Sequence, residues 1–265
     1  MGGRGATSSS GKMGAMGGAG LQAQAQAQAT QQVQVDDTQV ASAFSASYDQ
    51  FMAMTDDEKA DFIDANIKQG VPAHLAQNDL QRFIYNSGLN DKPDIVDDAT
   101  LDTMTGTEMF RTVNSVHDKA NDLGYNADQI AKQVMSGRVT RVSDTGGSTY
   151  GRGIYFANSY SESTGMYGNT RGNVKATAVM RAKLNNNAKV IDSDTAKLYA
   201  RKEISSGSKL GKTLAKCDRQ SQSSIYAMSK GYNVMSDKAS GYFVVLNRNA
   251  ITMSSDVKAK GSKWK

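Results

Sequence analysis

The stretch Thr145-Gly-Gly-Ser-Thr-Tyr-Gly-Arg-Gly-Ile-Tyr-Phe-Ala-Asn-Ser159 holds the densest local signal in the chain. Four glycines fall within eight positions of it, and glycine lets a backbone turn tightly and approach a ligand closely. The aromatic pair Tyr155-Phe156 then begins an apolar run that is typical of a strand. The pattern predicts a glycine-rich loop that leads into a strand. A turn beside an edge strand, with no ligand, is the alternative for this stretch taken alone.

Short apolar runs rich in β-branched and aromatic residues lie on both sides of this stretch. They cover residues 108–113, 153–157, 174–184, 188–191 and 242–246, with Gly, Ser, Asn and Asp between them. A helical pattern over residues 115–135 separates the first two runs. One strand, one helix and then mostly strands predict an α+β domain over residues 105–265, and not a doubly wound one.

Residues 36–104 carry a helical signal instead. Val40, Phe44, Tyr48 and Phe51 recur at the spacing of an amphipathic helix. Thr55 followed by Glu58 fits a capping box, which predicts that a second helix starts there. A third short helix is predicted over residues 74–85. We therefore expect a small helical module in this part of the chain.

Residues 1–35 consist mainly of Gly, Ser, Gln and Ala, with few apolar side chains. Such a segment cannot bury enough surface to offset the entropy of its chain. We therefore predict a disordered tail. The chain also lacks an apolar stretch long enough for a membrane span and an apolar signal-peptide segment near residue 1, so we expect no membrane association.

Charge divides the chain between these segments. Residues 36–108 carry fifteen acidic and four basic side chains, whereas residues 109–265 carry eleven acidic and twenty-five basic ones. The basic part favours anionic partners such as nucleotides, nucleic acid or an acidic protein. The alternative is that the acidic segment simply packs on the basic one. One cysteine and two widely separated histidines give neither a disulfide framework nor a zinc-type cluster, so no metal is expected.

The run Tyr150-Gly-Arg-Gly-Ile-Tyr-Phe-Ala-Asn-Ser159 resembles a signature strand of the ADP-ribosyltransferase fold, especially its poly(ADP-ribose) polymerase-like branch. In that family an earlier strand with a His or Arg grips NAD, and a helix separates it from the signature strand. Here Met109-Phe-Arg-Thr112 matches the first strand and residues 115–135 match the helix. The resemblance covers about residues 105–253. It implies a split β-sandwich with helices, preceded by the helical module and the tail.

The resemblance also implies NAD as the substrate and gives roles to single residues. Arg111 would contact the NAD phosphates or ribose through charge-assisted bonds, and Tyr155 would stack on the nicotinamide. Backbone groups near Arg111 and Thr112 would hold the carboxamide, and Ser159 or Ser161 would follow on the wall of the pocket. The expected NAD-binding residues are Arg111, Thr112, Gly151, Gly153, Tyr155, Phe156 and Ser159. Arg111 and Tyr155 are expected to line one cleft between two small sheets; the alternative for Arg111 is a surface arginine.

The chain departs from the family pattern at the position of the catalytic carboxylate. In the polymerase-like branch a glutamate stands just before the aromatic-apolar strand, whereas Gly241 stands there in this chain. A carboxylate bonds the ribose 2′-hydroxyl and steadies developing positive charge. Asp237 is the nearest acid, so the expected catalytic residues are Arg111, Tyr155 and Asp237. An ordinary turn residue is the alternative for Asp237, and binding without catalysis is the alternative for the domain.

The sequence thus predicts an NAD-dependent mono-ADP-ribosyltransferase that modifies a protein or, less in keeping with the family, a nucleic acid. A non-catalytic binding or structural protein with a degenerate transferase fold is the second hypothesis. Glycine-rich tails on small transferase-like domains resemble those of bacteriophage or mobile-element proteins. The expected setting is therefore the cytoplasm of a host cell, as an effector, or a virion.

Overall fold

The computed structural model describes residues 45–71, 78–89, 91–114, 116–118, 123–125, 131–132, 134–136, 149–167 and 177–259. The described residues after Ala41 form one compact unit that combines a β-sheet with helices. This confirms the prediction of a chain with both kinds of element. The predicted tail, residues 1–35, lies outside the described residues. None of the helices in the described ranges is long and apolar enough to cross a membrane.

The strands of the described residues, in chain order, are β1 (Asp94–Val96), β2 (Glu108–Asn114), β3 (Val116–Asp118), β4 (Leu123–Tyr125), β5 (Ile154–Ala157), β6 (Thr177–Leu184), β7 (Val190–Asp192), β8 (Val234–Asp237), β9 (Tyr242–Val245) and β10 (Ile251–Ala259). Eight of them form one sheet in the order β1-β10-β6-β2-β5-β9-β8-β7. The β1/β10 and β7/β8 pairs are parallel and the other neighbours are antiparallel. Strands β3 and β4 pair with each other.

The helices are α1 (Tyr48–Ala53), α2 (Asp56–Lys68), α3 (Asp79–Ser87), α4 (Asp98–Thr103), α5 (Tyr160–Tyr167), α6 (Ser193–Ser206), α7 (Lys209–Ala215) and α8 (Arg219–Ser229). Helix α2 begins as predicted, because the Thr55 side chain accepts from the Glu58 backbone and the Glu58 carboxylate accepts from the Thr55 backbone. Helix α3 begins after Asn78, whose side chain accepts from the Gln81 backbone N–H.

Two predictions about local structure need correction. The prediction of a helix over residues 115–135 is wrong for residues 116–118 and 123–125, which form strands β3 and β4. Residues 131–132 and 134–135 are the part of that range that is described as helical. Gly124 lies within β4, and glycine is a poor helix former. The sequence analysis also predicted mostly strands after residue 153, whereas α6, α7 and α8 occupy most of residues 193–229.

Each face of the sheet is covered by a core. The first core lies between one face of the sheet and the helices that cover it. Its buried side chains include Phe51, Phe83, Tyr155, Ile225 and Val244. The second core covers the opposite face and includes Met109, Ile154, Phe156, Met180 and Met253. Helices α1 to α3, which the sequence analysis placed in a separate module over residues 36–104, contribute to the first core. Strand β1 of the same range is the edge strand beside β10.

Oppositely charged helices meet on the surface of this unit. Three lysines of α7 and α8 or their ends pair with aspartates of α2: Lys209 with Asp61 at 2.5 Å, Lys216 with Asp64 at 3.0 Å, and Lys230 with Asp56 at 2.7 Å. The acidic segment therefore does pack on the basic one, which was one of the two interpretations of the charge division.

Candidate functional site at the junction of β2 and β5

Strands β2 and β5 meet in the middle of the sheet through one residue pair, Phe110 opposite Ala157. By contrast, β2 pairs with β6 over seven residue pairs, and β5 pairs with β9 over four. Continuing the antiparallel register would set Thr112 opposite Tyr155, but no such pair forms between the described residues of these two strands. The two halves of the sheet therefore part beside the glycine-rich stretch.

Arg111 connects β2 and β5 where their ladder ends. Its Nη1 donates to the Tyr155 carbonyl oxygen at 2.8 Å, and the arginine is only 7% exposed. Arg111 lies between Met109 and Val113, which belong to the second core, whereas the Tyr155 side chain belongs to the first. Because side chains alternate along a strand, the two leave the sheet on opposite faces. The expectation that Arg111 and Tyr155 line one cleft between two small sheets is therefore wrong, and this counts against the assignment of both side chains to one NAD pocket.

Tyr155 is held firmly in the first core. Its hydroxyl donates to the Gly151 carbonyl at 2.6 Å and lies 3.3 Å from the Tyr150 backbone N–H, which donates to it. Only 6% of the residue is exposed. The tyrosine thus ties the glycine-rich loop back onto its own strand, and this arrangement buries the ring that was expected to stack on nicotinamide.

Gly151 and Gly153 are required by close packing. Both have positive φ, 111° and 147°, a region that other residues rarely adopt. A Cβ on Gly151 would lie 2.4 Å from the Met235 Cε and 2.8 Å from the Ser224 Oγ. A Cβ on Gly153 would lie 2.6 Å from the Val244 Cγ1. Side chains of the protein fill the space beside these two glycines. The glycines therefore allow the loop to pack closely on α8 and β9.

A buried hydroxyl pair lies on the Tyr155 face of β2. The Thr112 Oγ1 and the Ser163 Oγ are 2.8 Å apart, and both residues are buried. The pair joins β2 to α5, whose Tyr160 also packs edge-on against Phe110. The sequence analysis named Thr112 but not Ser163. The signal that could have found Ser163 is its position one helical turn after Ser159, on the same face of a short helix.

Ser159 and Phe156, which were also predicted to bind NAD, make contacts within the protein itself. The Ser159 hydroxyl accepts from the Glu162 backbone N–H at 3.2 Å, which stabilises the start of α5. Phe156 is 1% exposed and belongs to the second core. Phe156 does not lie beside the Tyr155 side chain, because the two point to opposite faces of β5.

Asp237 lies on the same face of the sheet as Tyr155. It is opposite Tyr242 on β9, and Tyr242 is opposite Ala157 on β5; directly opposite residues share a face. The Ser240 hydroxyl and the Tyr150 hydroxyl bond its carboxylate, and the Ser240 bond is the main reason that its pKa lies below the usual value. Asp237 therefore closes the β8–β9 turn as an ionised acid.

Tyr150 links the two ends of this face, and the sequence analysis gave it no role. Its backbone contacts the Tyr155 hydroxyl, its own hydroxyl bonds Asp237, and its ring stacks on Tyr242 with centroids 6.0 Å apart. The Lys197 Nζ lies 5.7 Å from the centre of the same ring. Tyr155 and Asp237 are thus connected through one intervening residue.

Gly241, at the position of the family glutamate, has φ 71°. A Cβ there would lie 2.5 Å from the Asn158 Nδ2, and the Asn158 backbone N–H donates to the Gly241 carbonyl at 2.9 Å. The local backbone is therefore shaped for glycine, and the Asn158 amide occupies the space of a side chain. Residues of the described ranges form no cluster of three His, Cys, Asp or Glu that could hold a metal ion.

Cys217 does not supply an alternative nucleophile. It is 7% exposed, and burial raises its thiol pKa to about 12, with Asp79 and Asp218 adding to the effect. A neutral buried thiol is a poor nucleophile.

No family model matches the chain, and no curated protein and no solved structure matches it at a significant level. A function for the chain is therefore inferred from the geometry of the β2–β5 junction and from the glycine-rich sequence beside it.

Proposed function

We propose that the chain is an NAD-dependent mono-ADP-ribosyltransferase that modifies protein acceptors, with NAD bound where β2 and β5 part. The observation that carries the proposal is the end of the β2–β5 ladder after one residue pair, directly beside the Gly-Arg-Gly-Ile-Tyr-Phe stretch. The described residues form one eight-stranded sheet, and the early end of its β2–β5 ladder supports a division into two halves, as in a split β-sandwich. The resemblance of residues 105–253 to the ADP-ribosyltransferase fold supports the same location.

The chemistry needs positioning more than reactive side chains. The bond between nicotinamide and ribose breaks, nicotinamide leaves with the electron pair, and an acceptor nucleophile bonds the ribose carbon and loses a proton. A pocket accelerates this by holding NAD bent and by steadying the positive charge of the ribose. In the proposal, the Arg111 guanidinium, which reaches the junction through its bond to the Tyr155 carbonyl, meets the NAD phosphates from the face opposite the Tyr155 side chain, and the backbone of Thr112 receives the carboxamide.

Asp237 is the carboxylate that we assign to the developing positive charge. It shares a face with Tyr155 and stands two strands away, about 10 Å at the usual strand spacing. The Tyr150 hydroxyl bonds this carboxylate, and the Tyr150 backbone N–H bonds the Tyr155 hydroxyl, so one residue connects the two.

A non-catalytic binding or structural role is the second candidate, and two observations favour it. The Tyr155 ring is packed in the first core, and a glycine with φ 71° stands where the family has its glutamate. In this alternative the fold persists and the junction binds a ligand or partner without turnover.

Label transfer distinguishes the two candidates. The purified chain is incubated with host-cell lysate and NAD labelled in its adenylate phosphate, and acid-insoluble label is counted. We expect protease-sensitive, nuclease-resistant label with the wild type. Label that nuclease removes would identify a nucleic-acid acceptor and contradict the protein acceptor. A wild type that neither labels any component nor hydrolyses NAD would contradict the transferase and leave the binding role.

A matched pair of threonine variants tests the location. Thr112→Val and Thr252→Val each remove one buried hydroxyl with one hydrogen bond, at 4% and 1% exposure. Thr112 lies at the junction, whereas Thr252 lies on β10 against Asn185. Because the Thr112 hydroxyl joins β2 to α5 beside the junction, Thr112→Val should displace the backbone that receives the carboxamide and lower transfer by up to about tenfold, whereas Thr252→Val should change transfer little. Equal effects would contradict the location.

A further inference from the structure

Helix α6 exposes an unusual turn, Leu198–Lys202, on the surface of the molecule. Leu198 is 49% exposed and Tyr199 is 41% exposed, although Ala200 directly after them is 2% exposed and anchors the helix in the first core. The other large apolar side chains that are exposed in the described ranges, such as Tyr85 and Ile95, stand singly. Single exposed apolar residues are ordinary, whereas adjacent ones indicate an interaction site.

The same turn carries two cations that the described residues leave without an ion pair. Arg201 and Lys202 are both exposed, and no described carboxylate lies within ion-pair distance of either. The Lys202 Nζ lies 5.7 Å from the centre of the Tyr199 ring. By contrast, Lys209 at the start of α7 and Lys230 directly after α8 pair with aspartates of α2. Lys202 therefore places unpaired positive charge beside an exposed aromatic ring, and Arg201 adds a second charge on the same turn.

A second tyrosine extends this surface onto α8. Tyr226 is half-buried and meets Tyr199 edge-on, with ring centroids 6.5 Å apart and planes at 64°. The Lys230 Nζ lies 5.9 Å from the Tyr226 ring. The nearest carboxylate on α6, Glu203, accepts from the Ser208 hydroxyl at 2.5 Å. Burial raises the pKa of Tyr226, and Glu203 and Asp56 add to the effect, so two carboxylates also lie near this ring.

We propose that this surface, formed by Leu198, Tyr199, Arg201, Lys202 and Tyr226, binds single-stranded nucleic acid. A base stacks on the exposed face of Tyr199 and packs against Leu198, and Arg201 and Lys202 neutralise the adjacent phosphates. Alternation of aromatic rings with cations is the arrangement by which single strands are bound without sequence preference.

Other partners fit the surface less well. A lipid surface requires a broad apolar face, and the exposed apolar side chains of this turn are Leu198 and Tyr199 alone. An acidic peptide would use the cations but would gain little from an exposed aromatic ring. The ring and the charges together therefore favour a polyanion that also has flat, stacking groups.

Fluorescence anisotropy of the full chain with a labelled oligothymidylate of about 15 nucleotides tests the proposal. We expect saturable binding that weakens with salt. Tyr199→Ala should weaken it by about fivefold or more, since one stacked base is worth about 1–3 kcal/mol, whereas Tyr199→Trp should retain it. Lys202→Ala should lower the slope of log affinity against log salt by about 0.7.

Tyr85→Ala is the matched control, because Tyr85 on α3 is 42% exposed, as much as Tyr199, but lies on the acidic side of the chain. We expect it to bind the oligonucleotide as the wild type does. Absence of wild-type binding, or an equal effect of Tyr199→Ala and Tyr85→Ala, would overturn the proposal. Full retention by Tyr199→Leu would also overturn it, since an apolar side chain that cannot stack would then suffice. Equal competition by polyglutamate would overturn it as well and identify an acidic-protein surface instead.

Discussion

At the residue scale, Gly241 limits the chemistry more than any other position. Its backbone has φ 71° and its missing side chain would meet the Asn158 amide. The positive φ favours glycine at this position, whereas the exposed Asn158 side chain could move aside for a Cβ. In the proposed transferase the acid would come from another position, and Asp237 lies on the Tyr155 face.

Gly241→Ala and Gly165→Ala test this conformational requirement. Gly165 lies in α5 without a positive φ, and a Cβ added there would meet nothing within 4 Å. We expect Gly241→Ala to lower the free energy of unfolding by about 1–2 kcal/mol, the cost of a left-handed conformation for an L-residue. Gly165→Ala should raise it by about 0.5–1 kcal/mol, since alanine favours a helix. Urea titration measures both, and a neutral Gly241→Ala would contradict the requirement.

Single residues also mark the limit of what the sequence could predict for the site. The glycine-rich loop, the strand after it and the position of Arg111 on a neighbouring strand were predicted. The burial of Tyr155 was not, because the bond from its hydroxyl to the Gly151 carbonyl closes the loop onto the same strand. The Thr112–Ser163 pair joins residues 51 positions apart, and no local pattern reports such a contact.

At the element scale, the strength of the apolar stripe separates the helices that were predicted from those that were missed. Helix α2 has Thr55 and Glu58 in reciprocal bonds before a clear apolar stripe. Helices α6 and α8 also begin with aspartate caps, Asp192 and Asp218. Their apolar stripes are weak, since Ser and Ala supply many of the buried positions. The signal at the helix start was present, but the periodic pattern was not.

Thr55→Ala tests the cap of α2. The variant should lower the free energy of unfolding by about 1 kcal/mol, because the Glu58 backbone N–H loses its acceptor. Thr103→Ala is the control, since the Thr103 hydroxyl donates to the Thr100 carbonyl at the end of α4 and caps nothing. Its effect should stay within about 0.5 kcal/mol. Equal losses in thermal or urea unfolding would show that the cap contributes nothing specific.

The capping box also predicts a pH dependence. Bonds from the Thr55 backbone and hydroxyl lower the pKa of Glu58 in the folded chain. The stabilisation is therefore present at neutral pH and is lost as the pH falls below the usual glutamate pKa, about 4.3. Glu58→Gln cannot titrate, so its stability should fall less steeply than that of the wild type between neutral and acidic pH. Parallel curves in pH-dependent urea unfolding would contradict this assignment.

At the scale of the whole molecule, one core joins the acidic helices to the basic sheet and its helices. Phe51, Phe62 and Phe83 pack on one another with centroids 5.6–6.1 Å apart, and the same core contains Tyr155 and Met228. Charge composition correctly indicated two kinds of segment. The charge composition could not indicate that the two segments share a core. Opposite charges occur both in separate domains and in segments that pack on each other.

Phe83→Ala tests this shared core. Phe83 is fully buried, and removal of a buried phenylalanine ring costs about 3–5 kcal/mol. We expect one cooperative transition at a lower denaturant concentration, with coincident changes in far-ultraviolet and near-ultraviolet circular dichroism. Tyr85→Ala, two residues away and exposed, should be nearly neutral. Two separate transitions, with only the first shifted, would indicate independent helical and sheet domains.

The most direct test of the central claim is the dissociation constant of NAD for the wild type, Arg111→Lys and Arg181→Lys. Both arginines are 7% exposed on neighbouring strands, but Arg181 is engaged by Asp102 and Glu108 at 2.5 Å each. Lysine retains the charge and loses the forked geometry that grips phosphate. The account predicts saturable NAD binding by calorimetry, about tenfold weaker in Arg111→Lys and unchanged in Arg181→Lys. No NAD binding by the folded wild type, or equal weakening in both variants, would contradict it.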